Sequence, residues 1–142
     1  MLLTQLTGLS VVSAADATSV GVADGIVIDP GGRRVAALRL KKTGSGSYLP
    51  WSGVRAVGRD AVLAAGADAL RDVEGELKRL AEACGELIGK RVLTDAGAEA
   101  GTVRDVDVDP DSGTVLALHT TRAEVPGAAL LGIGGHAVVV RA

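Results

Sequence analysis

Hydrophobic and polar positions follow two different rhythms along this chain. In "TVRDVDVDPDSGTVLAL", residues 102–118, Val103, Val106 and Val108 alternate with Asp and Arg at close to period two. That spacing turns one face of a strand to a core and the other to water. Asp109-Pro110-Asp111-Ser112-Gly113 predicts a turn: Asp bonds back to the local backbone, Pro presets φ, and Gly accepts a positive φ. "TVLAL" predicts the returning strand. "GIVIDPGGRRVAAL", residues 25–38, predicts the same strand, turn and strand. Between these units the rhythm changes. In "ADALRDVEGELKRLAEACGEL", residues 67–87, Leu70, Val73, Leu77, Leu80, Cys84 and Leu87 fall three and four apart. They predict one apolar stripe on a helix with charged residues opposite. Gly75 would sit mid-helix, away from the stripe.

The strand units belong to a longer repeat. "LPWSGVRAVGRDAVLA", residues 49–64, matches "VPGAALLGIGGHAVVV", residues 125–140, at an offset of 76. "GVADGIVIDPGGRRVAAL", residues 21–38, matches "GTVRDVDVDPDSGTVLAL", residues 101–118, at an offset of 80. "LTGLSVV", residues 6–12, matches "LIGKRVL", residues 87–93, at an offset of 81. The offset changes only at 14–20 and 40–49, where loops are expected and length changes are tolerated. What repeats is apolar and what differs is polar. The chain therefore reads as one scaffold written twice, with freely diverging surfaces. The expected organisation is a first copy over 1–66, a helix over 67–85 and a second copy over 86–142.

Each copy resembles the PRC-barrel domain, the small β-barrel shared by the H subunit of photosynthetic reaction centres and the C-terminal part of a ribosome maturation factor. The residues that carry the resemblance are the opening "LTGLSVV" or "LIGKRVL", the glycine before "VRDVDVDP", and the closing "LPWSGVRAVGRDAVLA" with its weaker echo. The second copy departs from the first in having "GIGGHAV" for "AVGRDAV" and in lacking the Trp. The resemblance implies a mainly β protein: two small antiparallel PRC-type barrels in tandem, joined by an amphipathic helix. It also implies a non-catalytic module that contacts partner proteins, as family members do in photosynthesis, ribosome maturation and cell division. Fold alone does not choose among these roles.

Composition narrows the chemistry. Of 142 residues, 47% are hydrophobic and 23% charged, which fits a globular chain. Phe is absent, and Tyr48 and Trp51 are the only aromatics, so the core is aliphatic and base stacking has almost no platform. The net charge of −2 gives no general pull toward nucleic acid. It is unevenly spread: residues 1–66 carry seven Lys/Arg and four Asp/Glu (+3), 67–84 three and five (−2), 85–142 five and eight (−3). Two halves of opposite sign suggest face-to-face packing as a pseudo-dimer, with the helix over the seam or in a dimer contact.

The single cysteine, Cys84, excludes an internal disulfide and fits a reducing cytoplasm. "MLLTQLTGLSVVSAA" imitates a signal peptide, but it lacks a positive start and residues 6–12 belong to the repeat. No apolar run reaches the ~18 residues of a membrane span.

Candidate sites are few. Asp105, Asp107, Asp109 and Asp111 alternate, but Ser112 and Leu118 stand where an EF-hand starting at Asp107 needs Gly and Glu. A solvated strand face is the favoured reading. His119 and His136 show no zinc-ligand spacing. Cys84 on an apolar stripe reads as a small buried hydrophobe. "GSGS" (44–47) and "GIGG" (132–135) read as hairpin turns, not phosphate cradles. No catalytic constellation, metal site or cofactor site is expected. Tyr48, Leu49, Trp51 and Arg55 form the favoured protein-interaction edge, since amphipathic aromatics are enriched at interfaces. Trp51 packing on its own barrel or on the helix is the equal alternative. Leu70, Val73, Leu77, Leu80 and Cys84 are expected to pack on the barrels, or else to form a homodimer seam. Arg33, Arg34, Arg39, Lys41 and Lys42 would be the RNA contact if the chain were a ribosome-associated factor. A non-enzymatic cytoplasmic adaptor for another protein is the preferred function, and that RNA role is the alternative.

Overall fold

The computed structural model describes residues 1–44 and 46–142. A short helix α1 (Leu3–Leu6) leads into β1 (Ser10–Ser13), β2 (Ser19–Asp29), β3 (Arg34–Lys41), β4 (Tyr48–Pro50), β5 (Val54–Val57) and β6 (Ala61–Ala64). Helix α2 (Gly75–Cys84) leads into β7 (Arg91–Thr94), β8 (Glu99–Val108), β9 (Val115–Thr120), β10 (Glu124–Pro126), β11 (Leu130–Ile133) and β12 (Val138–Val140). Single 3₁₀ turns follow β4 at Trp51–Gly53 and β10 at Gly127–Ala129. The two sheets have the same order, β4-β3-β2-β1-β6-β5 and β10-β9-β8-β7-β12-β11. The molecule is thus mainly β, and the repeat in the sequence is a repeat in space.

Two expectations are corrected. The sheets are not wholly antiparallel: β1 runs parallel to β6, and β7 to β12. In each case the long β2–β5 or β8–β11 excursion separates the partners, which is the length of chain parallel neighbours need. Nor are the sheets closed barrels, since β4 and β5 end one sheet and β10 and β11 end the other.

The long strands β2 and β8 each serve two partners. β8 pairs with β7 through Arg91↔Thr102 and Leu93↔Glu99, then with β9 from Val103↔Thr120 onward. Gly101 marks that change with φ +89, which L side chains rarely adopt. β2 ends in the continuously buried run Ile26, Val27 and Ile28. A strand covered on both faces loses alternation, and here α2 packs over β2.

The helix that precedes β7 is shorter than the expected 67–85. Its bounds are Gly75–Cys84, and residues 67–69 form only a 3₁₀ turn. Leu70 and Val73 therefore lie outside it. Gly75 is not mid-helix but the first helical residue, with φ +58. Leu77 and Leu80 are half-buried and Cys84 is buried. Leu70 reaches the core from an extended segment, because Tyr48 and Arg71 exchange backbone hydrogen bonds of 3.0 and 2.7 Å. That ladder pulls the chain straight before the helix can start.

The halves are joined about a pseudo-two-fold. Val35 N–H donates to the Gly113 carbonyl at 2.8 Å, and Val115 N–H donates to the Arg33 carbonyl at 2.9 Å. These pairs exchange under the offset of 80, as a self-complementary interface requires. The segments that lead into each half also reach the other half's sheet. The backbone of Met1 bonds to that of Val108 in β8, N–H to carbonyl in both directions, at 2.8 and 2.9 Å. At the equivalent place in β2, Ile28 N–H donates to Cys84 Sγ at 3.3 Å. Leu3 and Leu6 before β1, and Cys84 and Leu87 before β7, belong to one core cluster that runs through both halves.

Candidate interaction surfaces

The edge around β4 separates into buried and exposed parts. Tyr48 and Pro50 are half-buried, Arg55 is exposed, and Leu49 is 0% exposed. Alternation explains this: on a three-residue strand the middle side chain points inward. Leu49 is thus part of the core, and the edge presents only its neighbours. Trp51 is half-buried against the core. A Cβ on Gly113, in the turn of the other half, would lie 2.8 Å from the indole ring. Trp51 therefore reaches across the seam to the turn of the other half.

The pseudo-symmetric contact is built differently. Gly127 replaces Trp51, and a Cβ there would lie 1.8 Å from the Val115 carbonyl oxygen. Arg33 occupies the position equivalent to Gly113, and its Nε donates to the Leu130 carbonyl at 3.0 Å. One crossing of the seam is an indole over a glycine. The other is a guanidinium bonded to the Leu130 carbonyl, with Gly127 set against the Val115 backbone. The divergence between the copies at Trp51 and Gly127 is thus a packing solution. The signal for it was present in the sequence as two Gly-for-bulky exchanges on opposite copies, but only spatial proximity connects them.

The basic group is dispersed. Arg33 is held in the seam. Arg39 donates to the Asp24 carbonyl at 2.8 Å and to Glu86 Oε1 at 2.7 Å, with Asp24 Oδ2 3.5 Å from its Nε. Lys41 Nζ lies 3.9 Å from Asp24 Oδ1. Arg34 and Lys42 are exposed. Three of the five cations, Arg33, Arg39 and Lys41, thus have partners within the chain. Arg39 also fills the polar side of a groove of about 340 Å³ between α1 and residues 85–88, bordered by Asp24, Glu86 and Ile88.

The aspartate series is half-buried at Asp105, Asp107 and Asp109 and exposed at Asp111. Asp105 accepts from Thr4 N–H at 3.1 Å and from the Thr4 hydroxyl at 2.5 Å, and Asp107 accepts from Met1 N at 2.9 Å. Asp109 accepts from Asp111 N–H at 2.9 Å, and that bond holds its carboxyl below the usual carboxylate range. These carboxylates tie down the first residues and the turn. Among the described residues no cluster of three His, Cys, Asp or Glu side chains is grouped to hold a metal. His119 sits half-buried on β9 between Asp105 and Glu124 in the ladder, and His136 is exposed in the turn closed by Gly134 N–H to Ala137 carbonyl at 2.9 Å. The "GSGS" turn includes Ser45, which lies outside the described residues. Cys84 is buried, and burial pushes its thiol up from an ordinary value of 9.0.

Large apolar side chains do reach the surface, and mostly in one half. Ile88, Leu116 and Leu131 are 43%, 49% and 41% exposed. The first copy has Thr7, Ala36 and Arg55 at the equivalent positions. Leu63 is the first copy's own exposed leucine, at 37%. Among the described residues no helix is long and apolar enough to cross a membrane.

A duplicated six-stranded β module, fused across a pseudo-two-fold and carrying diverged surfaces, is the class this molecule defines. The model of the PRC-barrel domain family matches residues 1–70 and 81–140, and the chain belongs to that family, with two copies in tandem. No curated protein matches the sequence.

Proposed function

We propose that this protein is a non-enzymatic binding module that docks another protein, through the surface of its second half in particular. The observation that carries the reading is the placement of Ile88, Leu116 and Leu131. Each is exposed, and each stands where the first copy carries a small or polar residue. Exposed leucines cost solubility and add nothing to this core, whereas apolar side chains in a polar surround supply most of the energy at protein interfaces. The buried single cysteine fits work in a reducing compartment, and the cytoplasm is our assignment.

The test compares capture of binding proteins by the intact chain and by the double variant Leu116→Ala, Leu131→Arg. Both substitutions install the residue already tolerated at the equivalent first-copy position, so the fold is expected to survive. A protein retained by the intact chain should be lost at least about tenfold in the variant. Unchanged capture, or recovery chiefly of RNA that dissociates with added salt, would overturn the reading.

A further inference from the structure

The two copies differ in how their outer strand is finished. In the first, β4 is an edge in name only. Residues 69–72 return alongside it, and the Tyr48 N–H and carbonyl bond to the Arg71 carbonyl and N–H. Ala69 meets Gly53, and Leu70 is buried. Under that cover β4 is half-buried at Tyr48 and Pro50 and fully buried at Leu49.

In the second copy, β10 keeps the same register. Glu124↔His119, Val125↔Leu118 and Pro126↔Ala117 repeat Tyr48↔Arg39, Leu49↔Leu38 and Pro50↔Ala37. The hairpin bond repeats too, Thr120 N–H to Ala123 carbonyl for Leu40 N–H to Ser47 carbonyl. The Glu124 N–H and carbonyl must therefore point away from β9, as those of Tyr48 point away from β3. Among the described residues nothing lies beyond β10 in the sheet. Its burial drops accordingly: Glu124 and Pro126 are exposed, and Val125 is only half-buried.

We propose that the β10 edge is the site where a partner protein adds an extended strand, antiparallel, in the place that residues 69–72 occupy on β4. This inference rests on the protein-binding reading and adds a contact site on the same half. The chemistry of the incoming segment follows from the first copy and from one exchange. A small residue and then an apolar one would cover Val125 and Ala129, as Ala69 and Leu70 cover Leu49 and Gly53. The next residue faces position 124 directly, as Arg71 faces Tyr48. There the second copy has Glu, in a half whose formal charge is −3. A basic residue opposite Glu124 gives a favourable cross-strand pair. The partner strand thus reads small, apolar, basic, and main-chain bonds supply the rest.

A capped peptide of residues 66–74, "GADALRDVE", is the probe, titrated into the full-length labelled chain by NMR. The expected result is a shift and slowed exchange of the Glu124–Pro126 amides with saturation below about 1 mM. Glu124→Lys should weaken binding about fivefold or more, and a peptide with Glu in place of its Arg should recover the loss. No response up to about 1 mM overturns the proposal. So does a response confined to residues 48–50, which is exchange with the chain's own segment, or binding at β10 that ignores Glu124→Lys. Changes at Glu124 that grow with protein concentration alone overturn it in favour of a second copy. A captured protein indifferent to Glu124→Lys would remove this site while leaving the protein-binding reading intact.

Discussion

Cys84 shows how much one side chain settles. Its sulfur accepts from Ile28 N–H inside the core and is 1% exposed. Burial disfavours the thiolate, so the native thiol titrates above 9.0 while the unfolded thiol keeps its ordinary value. The sign follows: this group's contribution is fully present below about pH 9 and is lost as pH rises through its native value. The unfolding midpoint should therefore fall more steeply between pH 8 and 10 in the wild type than in Cys84→Ala. A thiol reagent at pH 8 should label the native protein far more slowly than the unfolded one. Parallel slopes in the two proteins, or prompt native labelling, would refute the assignment. The burial of Cys84 was legible from its three-and-four spacing alone. Leu49 was not, because one leucine beside two aromatics carries no period. Trp51 was legible as unusual, but its seat depends on Gly113, far along the chain, and no local pattern links them.

At the level of elements, strand content and turns were readable because alternation and Asp-Pro-Gly grammar act within a few residues. The boundaries of α2 were not. Leu70 and Val73 fit the helical stripe by spacing, yet the Tyr48–Arg71 ladder claims that segment first, and local propensity yields to tertiary pairing. The parallel pairs β1·β6 and β7·β12 were equally hidden, since alternation is blind to strand direction. Gly101 is the element-level hinge that can be tested. It bends β8 between two partners at φ +89, and an added Cβ would lie 2.4 Å from Thr121 Oγ1. Gly89 has a nearly identical φ of +88 and nothing within 4 Å. Both Ala substitutions strain the backbone by about 1–2 kcal/mol, but only Gly101→Ala adds overpacking, of about 1 kcal/mol or more. Denaturant midpoints should rank wild type, Gly89→Ala, then Gly101→Ala. Equal losses would mean the corner relaxes freely.

Across the whole molecule, duplication has become interdependence. If each copy were a free-standing unit, its lead-in segment would pack on its own sheet. Residues 1–6 do meet β2, but they also lie against β8, and Cys84, at the end of α2, closes over β2. Each half thus completes the other's core, while the Val35–Gly113 and Val115–Arg33 bonds and the Trp51 indole close the seam between them. One core cluster through both halves predicts one cooperative transition. Trp51 fluorescence, which reports the seam, and far-ultraviolet dichroism, which reports all strands, should give the same midpoint and slope in denaturant. Fragments 1–70 and 71–142 should each be largely unfolded alone, since 1–70 lacks Cys84 and Leu87, and 71–142 lacks Leu3, Leu6 and Leu70. Mixed at equal concentration, they should recover native dichroism together, as two halves of one core must. A tryptophan transition that precedes the loss of strand signal would show that the seam opens first. Fragments that fold separately would show that the lead-in contacts are decoration on two independent domains.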